Sequence, residues 1–226
     1  MPDALYLAST WVIPILLAIT LHEAAHAFVA RYLGDDTASK LGRVSLNPFK
    51  HIDPVGTILL PGLLLLARSP FLFGYARPVP VKFAALRNPR RDMAWVAVAG
   101  PAMNIALATI AALGFHLVGF LPADSARWVA DNLKNALIIN VVLAIFNLFP
   151  LPPLDGGRIA VGLLPDVLAM PLARMEPYGM LILIALLIVL PLLGRNIGVD
   201  LSIISRLITT AAGAVIDLIL RVTGNL

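Results

Sequence analysis

Eighteen consecutive residues, Ala4 to Leu21, carry no charge, and they lead directly into His22-Glu23-Ala24-Ala25-His26. An uncharged run of that length approaches what a bilayer core requires. There the backbone N–H and C=O groups must pair within the segment, which makes it a helix. On such a helix the two imidazoles, four residues apart, fall about 40° from each other round the axis and about 6 Å apart along it. Both can grip one metal ion. Glu23, one position further round, can reach a water on that metal and take its proton. Two histidines and a carboxylate are expensive inside an apolar run, so the pattern reads as a functional site.

Composition places the rest of the chain in lipid as well. Hydrophobic residues make up 59% and charged residues 13%, with a mean hydropathy of +0.89, where an average soluble domain carries roughly 25% charged residues. The 226 residues have room for an all-α polytopic bundle of about five to six transmembrane segments and no separate soluble domain. A net charge of +4 would suggest nucleic acid in a soluble protein. In a membrane protein, basic residues gather in cytoplasmic loops, so they report topology and no nucleic-acid partner is expected. Cysteine is absent, which leaves histidine and carboxylate as the metal ligands.

Met1 to Asp3 lacks the basic start of a signal peptide, so the first segment reads as a mature span, kinked at Pro14 and ending near Leu33 before Gly34-Asp35-Asp36. Pro54 to Ala67 is uncharged for only fourteen residues and contains Pro54, Gly56, Pro61 and Gly62, which suits a re-entrant segment better than a lipid-exposed helix. Arg31, Lys40, Arg43 and Lys50 precede it, and Arg68, Arg77, Lys82, Arg87, Arg90 and Arg91 follow, ten of the seventeen basic residues. Both flanks are therefore expected on the cytoplasmic side. Arg43 to Leu46 and Pro78 to Val81 are candidate short β-strands in the 40–85 region.

Met93 to Ala123 is the longest uncharged run and carries Gly100-Pro101-Ala102-Met103-Asn104. Asn104 falls roughly 18 Å from the cytoplasmic end of its helix, and His22 roughly 15 Å from the end of its own. The two meet at similar depth. Asn104 either bridges helices or supports the site. His116 lies some 36 Å along its helix, past the metal, and reads as a satisfied histidine. The run from Asn135 ends in Asn147-Leu148-Phe149-Pro150-Leu151-Pro152-Pro153-Leu154-Asp155-Gly156. Its prolines cannot continue a regular helix, and unwound backbone at membrane depth is tolerated only beside protein or a wet cavity. Asp155 then appears in the same half of the membrane as His22 and His26. Two histidines, one carboxylate and an open position describe a catalytic zinc site. A cap on the helix beginning near Gly156 is a further role open to Asp155, and both roles can hold together.

These three segments, in this order, resemble the signatures of the site-2 protease family of intramembrane zinc metalloproteases. The similarity covers roughly Ala4 to Leu168, including Asn47-Pro48 and His51-Ile52-Asp53-Pro54. The resemblance implies one zinc ion on His22, His26 and Asp155, Glu23 as general base, and Asn147 at the substrate backbone or oxyanion. Gly100, Pro101, Asn104, Pro150 and Gly156 would support the site or bind substrate. Implied substrates are membrane-spanning proteins such as anti-sigma factors or membrane-tethered regulators, cut within or near the membrane. The chain then reads as one membrane-embedded protease domain over 1–226, with a catalytic core of about 4–168, C-terminal helices of about 177–222 and no PDZ or CBS domain. The active site is expected nearer the cytoplasmic side of the cell membrane.

Pro177 to Gly194 reads as a span, and Leu201 to Leu220, which contains Arg206 and Asp217, either crosses with snorkelling ends or lies at the interface. Read as a span, it completes a count of five crossings and one re-entrant segment, which puts the N-terminus outside and the C-terminus inside. The rival readings are a membrane transporter, which has no need of Glu23 beside the histidines, and a catalytically silent adaptor, although no member of the metal and base set is missing.

Overall fold

The computed structural model describes residues 2–47, 50, 53–59, 63 and 79–226. Among these the ordered elements are helical. They are α1 (Pro2–Tyr32), α2 (Thr37–Lys40), a wide turn at Pro54–Leu59, a tight turn at Phe83–Ala85, α3 (Pro89–Val118), α4 (Ala123–Asn147), α5 (Asp155–Leu163) and α6 (Asp166–Arg174). The last two are α7 (Glu176–Asn196), which widens at Ala185–Val189, and α8 (Ile203–Val222). Helices α1, α3, α4, α7 and α8 are long and apolar enough to cross a membrane.

Helix α3 is central and packs on α1, α4 and α5. Its buried positions include Ala94, Ala97, Gly100, Asn104, Ala108 and Ala111, a stripe at three- and four-residue spacing. Small residues let backbones approach, and close packing is what holds helices together where no hydrophobic drive acts between them. Ala108, Ala111 and Ala112 meet Leu137 and Val141 of α4 and Ala212 and Ile219 of α8.

Buried amides repair the breaks in the helices. Pro14 has no N–H, so the Thr10 carbonyl loses its helical donor. Asn135 of α4 supplies one from Nδ2 at 3.0 Å. Helix α1 ends as expected, and Gly34 follows it with a φ of 114°, a conformation open mainly to glycine.

Two expectations are corrected. Neither Arg43–Leu46 nor the described part of Pro78–Val81 forms a strand; Pro78 itself lies outside the described residues. Main-chain donors in and just after the second segment are taken by side chains: Val79 N–H donates to Glu23 Oε2 at 2.8 Å and Lys82 N–H to Asp35 Oδ2 at 2.6 Å, while Pro80 has no N–H to give. The result is a strap, residues 79–88, laid along the end of α1 and closed by Arg87 N–H on Leu33 O at 3.0 Å.

The second correction concerns the C-terminus. Thr223 O accepts from His116 Nε2 at 2.7 Å, and Asn225 Nδ2 donates to Ala112 O at 2.9 Å. The end of α8 therefore lies beside the end of α3. Tyr6 near the N-terminus bonds Asp131 in the first part of α4, at that same end of the bundle. Both termini emerge together, where five full crossings would separate them. Helix α8 achieves this by running in the same direction as α3.

Most of Pro54 to Ala67 lies outside the described residues. The expected re-entrant path of that segment lies with those residues, and Arg87 N–H on Leu33 O fixes only the strap's own end beside α1.

Candidate metal centre

His22 and His26 project from α1 toward α3, and Asp155 enters from the first turn of α5. His22 Nε2 and His26 Nε2 are 3.0 Å apart, and Asp155 Oδ2 lies 3.2 and 3.3 Å from them. All three side chains are buried.

The far side of each ring identifies the free nitrogen. His26 Nδ1 is 2.7 Å from the Val96 carbonyl, which can only accept, so the proton sits on Nδ1. His22 Nδ1 is 2.6 Å from Asn104 Oδ1 and is protonated for the same reason. Both Nε2 lone pairs then point at each other and at a carboxylate. Asp155 Oδ2 is buried and has no hydrogen-bond donor among the described residues. Three acceptors within 4.8 Å of one another repel unless a cation lies among them. A pair of neutral imidazoles and one carboxylate suit zinc with a position left open. The cap role for Asp155 fails, because Leu154 occupies the cap position and no side chain caps α5.

Gly100 shows how closely the centre is built. A Cβ there would fall 2.6 Å from His22 Nε2 and closer still to His26 Nε2, in the space where the ligand atoms converge. Pro101, next along α3, leaves the Ala97 carbonyl without a helical donor, and Ala97 lines the cavity beside the metal trio. Gly156 serves the other wall, since a Cβ there would overlap the Leu148 and Phe149 carbonyls and push α5 off the end of α4.

The cavity holds about 240 Å³ and is lined by Glu23, Asn147, Val79, Phe83, Pro153 and Arg158 in addition to the trio. Glu23 is half-buried, with Oε2 held by the Val79 N–H. Asn147 donates from Nδ2 to Leu143 O at 3.0 Å. Pro150 is exposed and away from the cavity, and Pro153 takes the wall position in its place. His116 is bonded to Thr223 and stands apart from the metal centre.

Reading by residue type missed several participants. Val96 and Val79 act through main-chain groups, which no side chain announces. Arg158 did carry a signal, being three residues after Asp155 and so on the same face of α5. Its guanidinium lies 5.3 Å from the Phe83 ring centre and 3.3 Å from Glu176, and its buried Nε has no partner among the described residues.

A family model described as peptidase family M50 matches residues 116–190. Two bacterial proteins that bear the name "Putative zinc metalloprotease" resemble the chain over a much longer span. YwhC of Bacillus subtilis is 41% identical over 184 residues, 78% of this chain and 79% of that one. Rip2 of Mycolicibacterium smegmatis is 32% identical over 181 residues, 80% of this chain and 66% of that one. No solved structure matches. Identity of 41% over more than three quarters of both chains carries the conclusion: the chain belongs to peptidase family M50, the membrane-embedded zinc metalloproteases.

Proposed function

We propose that this protein hydrolyses peptide bonds within or near the membrane-spanning segments of other membrane proteins, with His22, His26 and Asp155 holding one zinc ion and Glu23 as general base. The observation that carries the reading is the convergence of three buried acceptor atoms in one cavity with Glu23, on a helix long enough to span. Zinc, when bound, supplies a Lewis acid that polarises the scissile carbonyl and acidifies a water.

The chain's own groups do the rest. Glu23 Oε2 is anchored by the Val79 N–H, which leaves Oε1 to accept the water's proton and return it to the departing amine as the C–N bond breaks. Asn147 lines the same cavity and serves the tetrahedral oxyanion as a donor. Asp155 offsets the metal's charge. The strap gives the substrate an extended neighbour once it has unwound.

The basic flanks at the Leu33 end of α1 support a cytoplasmic placement of that end in the cell membrane. The substrates that the family resemblance implies are single-span regulators such as anti-sigma factors or membrane-tethered transcription factors. A transporter would use the metal trio and leave Glu23 without a task.

Co-expression with a panel of single-span proteins tests the reading. Fragments are expected with the wild type and disappear with Glu23→Gln, which keeps size and removes the proton acceptor. Equal cleavage by that variant would contradict the mechanism.

A further inference from the structure

The two imidazoles are fixed by different means, and the difference gives a task to a residue outside the cavity. His26 is set by the backbone alone, through the Val96 carbonyl. His22 depends on a side chain, Asn104, whose amide can present either oxygen or NH2 to the ring. Turned over, it would drive the proton from Nδ1 to Nε2, where it blocks a metal.

What opposes that turn lies on the far side of Asn104. Its Nδ2 donates to the Ala18 carbonyl at 3.1 Å and to Asn140 Oδ1 at 2.8 Å. Asn140 in turn donates from Nδ2 to the Ala136 carbonyl at 2.9 Å. The relay ends on backbone oxygens that only accept, so every link has one sense. Ala18 O is also the helical acceptor for the His22 N–H, which makes it a shared restraint. Asn104 is 0% and Asn140 2% exposed, leaving no access for bulk water to replace a lost partner.

We propose that Asn140 is a positioning residue for the metal centre: acting through Asn104, it sets the His22 tautomer that leaves Nε2 free for zinc. The inference rests on the reading of His22, His26 and Asp155 as zinc ligands. Partners behind a ligating histidine typically change metal affinity by about 10–100-fold. Because Ala18 O still restrains Asn104, the loss at Asn140 falls at the lower end of that range.

The test uses the full-length protein in detergent and two readouts, zinc affinity by competition with a chelator and 15N NMR of histidine-labelled, zinc-free protein near pH 8, above the ordinary imidazole range. In the wild type, His22 is expected to carry its proton on Nδ1. Asn140→Leu, similar in bulk but without the acceptor, should weaken zinc about tenfold and divide His22 between tautomers, with His26 unchanged. Asn140→Asp keeps an acceptor toward Asn104 and should bind zinc within about threefold of wild type.

Wild-type affinity in Asn140→Leu overturns the proposal. So does a wild-type His22 protonated on Nε2, a result that needs no variant to fold. If Asn140→Leu does not fold, Asn140→Asp decides together with the wild-type tautomer, and a tenfold loss there also overturns it. Neither readout involves cleavage, so failure of the relay and failure of the protease reading are separable.

Discussion

The helices around α3 and the outer pair α7 and α8 are all apolar enough to cross a membrane, and they are built to different rules. In the most apolar window of α3, 44% of residues are buried, against 17% in α7 and 11% in α8. The α3 region uses alanine and glycine for contact and amides, Asn104, Asn135 and Asn140, to tie helices together. The outer pair turns Leu181, Ile188, Leu192 and Leu207 outward. Large aliphatic side chains gain nothing by leaving lipid for one another. Ångström-level placement is therefore concentrated where small residues and hydrogen bonds provide it, and the metal centre sits there.

Substitutions should break this contrast in a definite order. Gly100→Ala places a methyl among the ligand atoms and should lower zinc content severely and cleavage by at least about a hundredfold. Zinc per chain and fragment yield check this together. In the cavity wall, Arg158→Gln removes a guanidinium whose Nε has no partner among the described residues. A rise of about tenfold in KM with unchanged zinc content is expected, since the lost contact binds substrate in ground and transition state alike.

The strap is a smaller, pH-dependent case. Burial pushes the Asp35 carboxyl up, but hydrogen bonds from Thr37 and from the Lys82 N–H outweigh it and hold it below its ordinary value. Its contribution is thus present above the unfolded carboxylate value of about 3.9 and is lost as pH falls through the lower folded value. Asp35→Asn should cost about 1 kcal/mol at neutral pH and flatten that part of the acid-unfolding curve. Smallest of all, Leu192→Ala on the lipid-facing side of α7 should shift thermal unfolding by no more than about 0.5 kcal/mol. A loss comparable to that of a buried site would show that α7 packs against something in the membrane.

Much of the centre was legible because helical spacing converts sequence into geometry. His22 and His26 share a face by periodicity, and Asp155 stands out as a lone carboxylate after an unwound, proline-rich stretch. The Val96 carbonyl and Val79 N–H were not legible, since main-chain groups look alike at every residue. The strand expected near Val79 failed for a related reason, since carboxylates on and after α1 took main-chain donors there, while near Arg43 the Arg43 N–H bonds back to the Ala38 carbonyl of α2. The direction of α8 did have a signal. Arg195 and Arg206 flank the loop before it, which the positive-inside tendency would keep on the basic side. Counting every apolar run as a full crossing overrode that information.

Zinc content per chain in purified wild type, Glu23→Gln and the His22→Ala, His26→Ala double variant tests the central claim most directly. One zinc is expected in wild type and in Glu23→Gln, because Glu23 faces the cavity without joining the buried trio, and none in the double variant. Full zinc in the double variant would contradict the assignment and place the metal elsewhere in the chain.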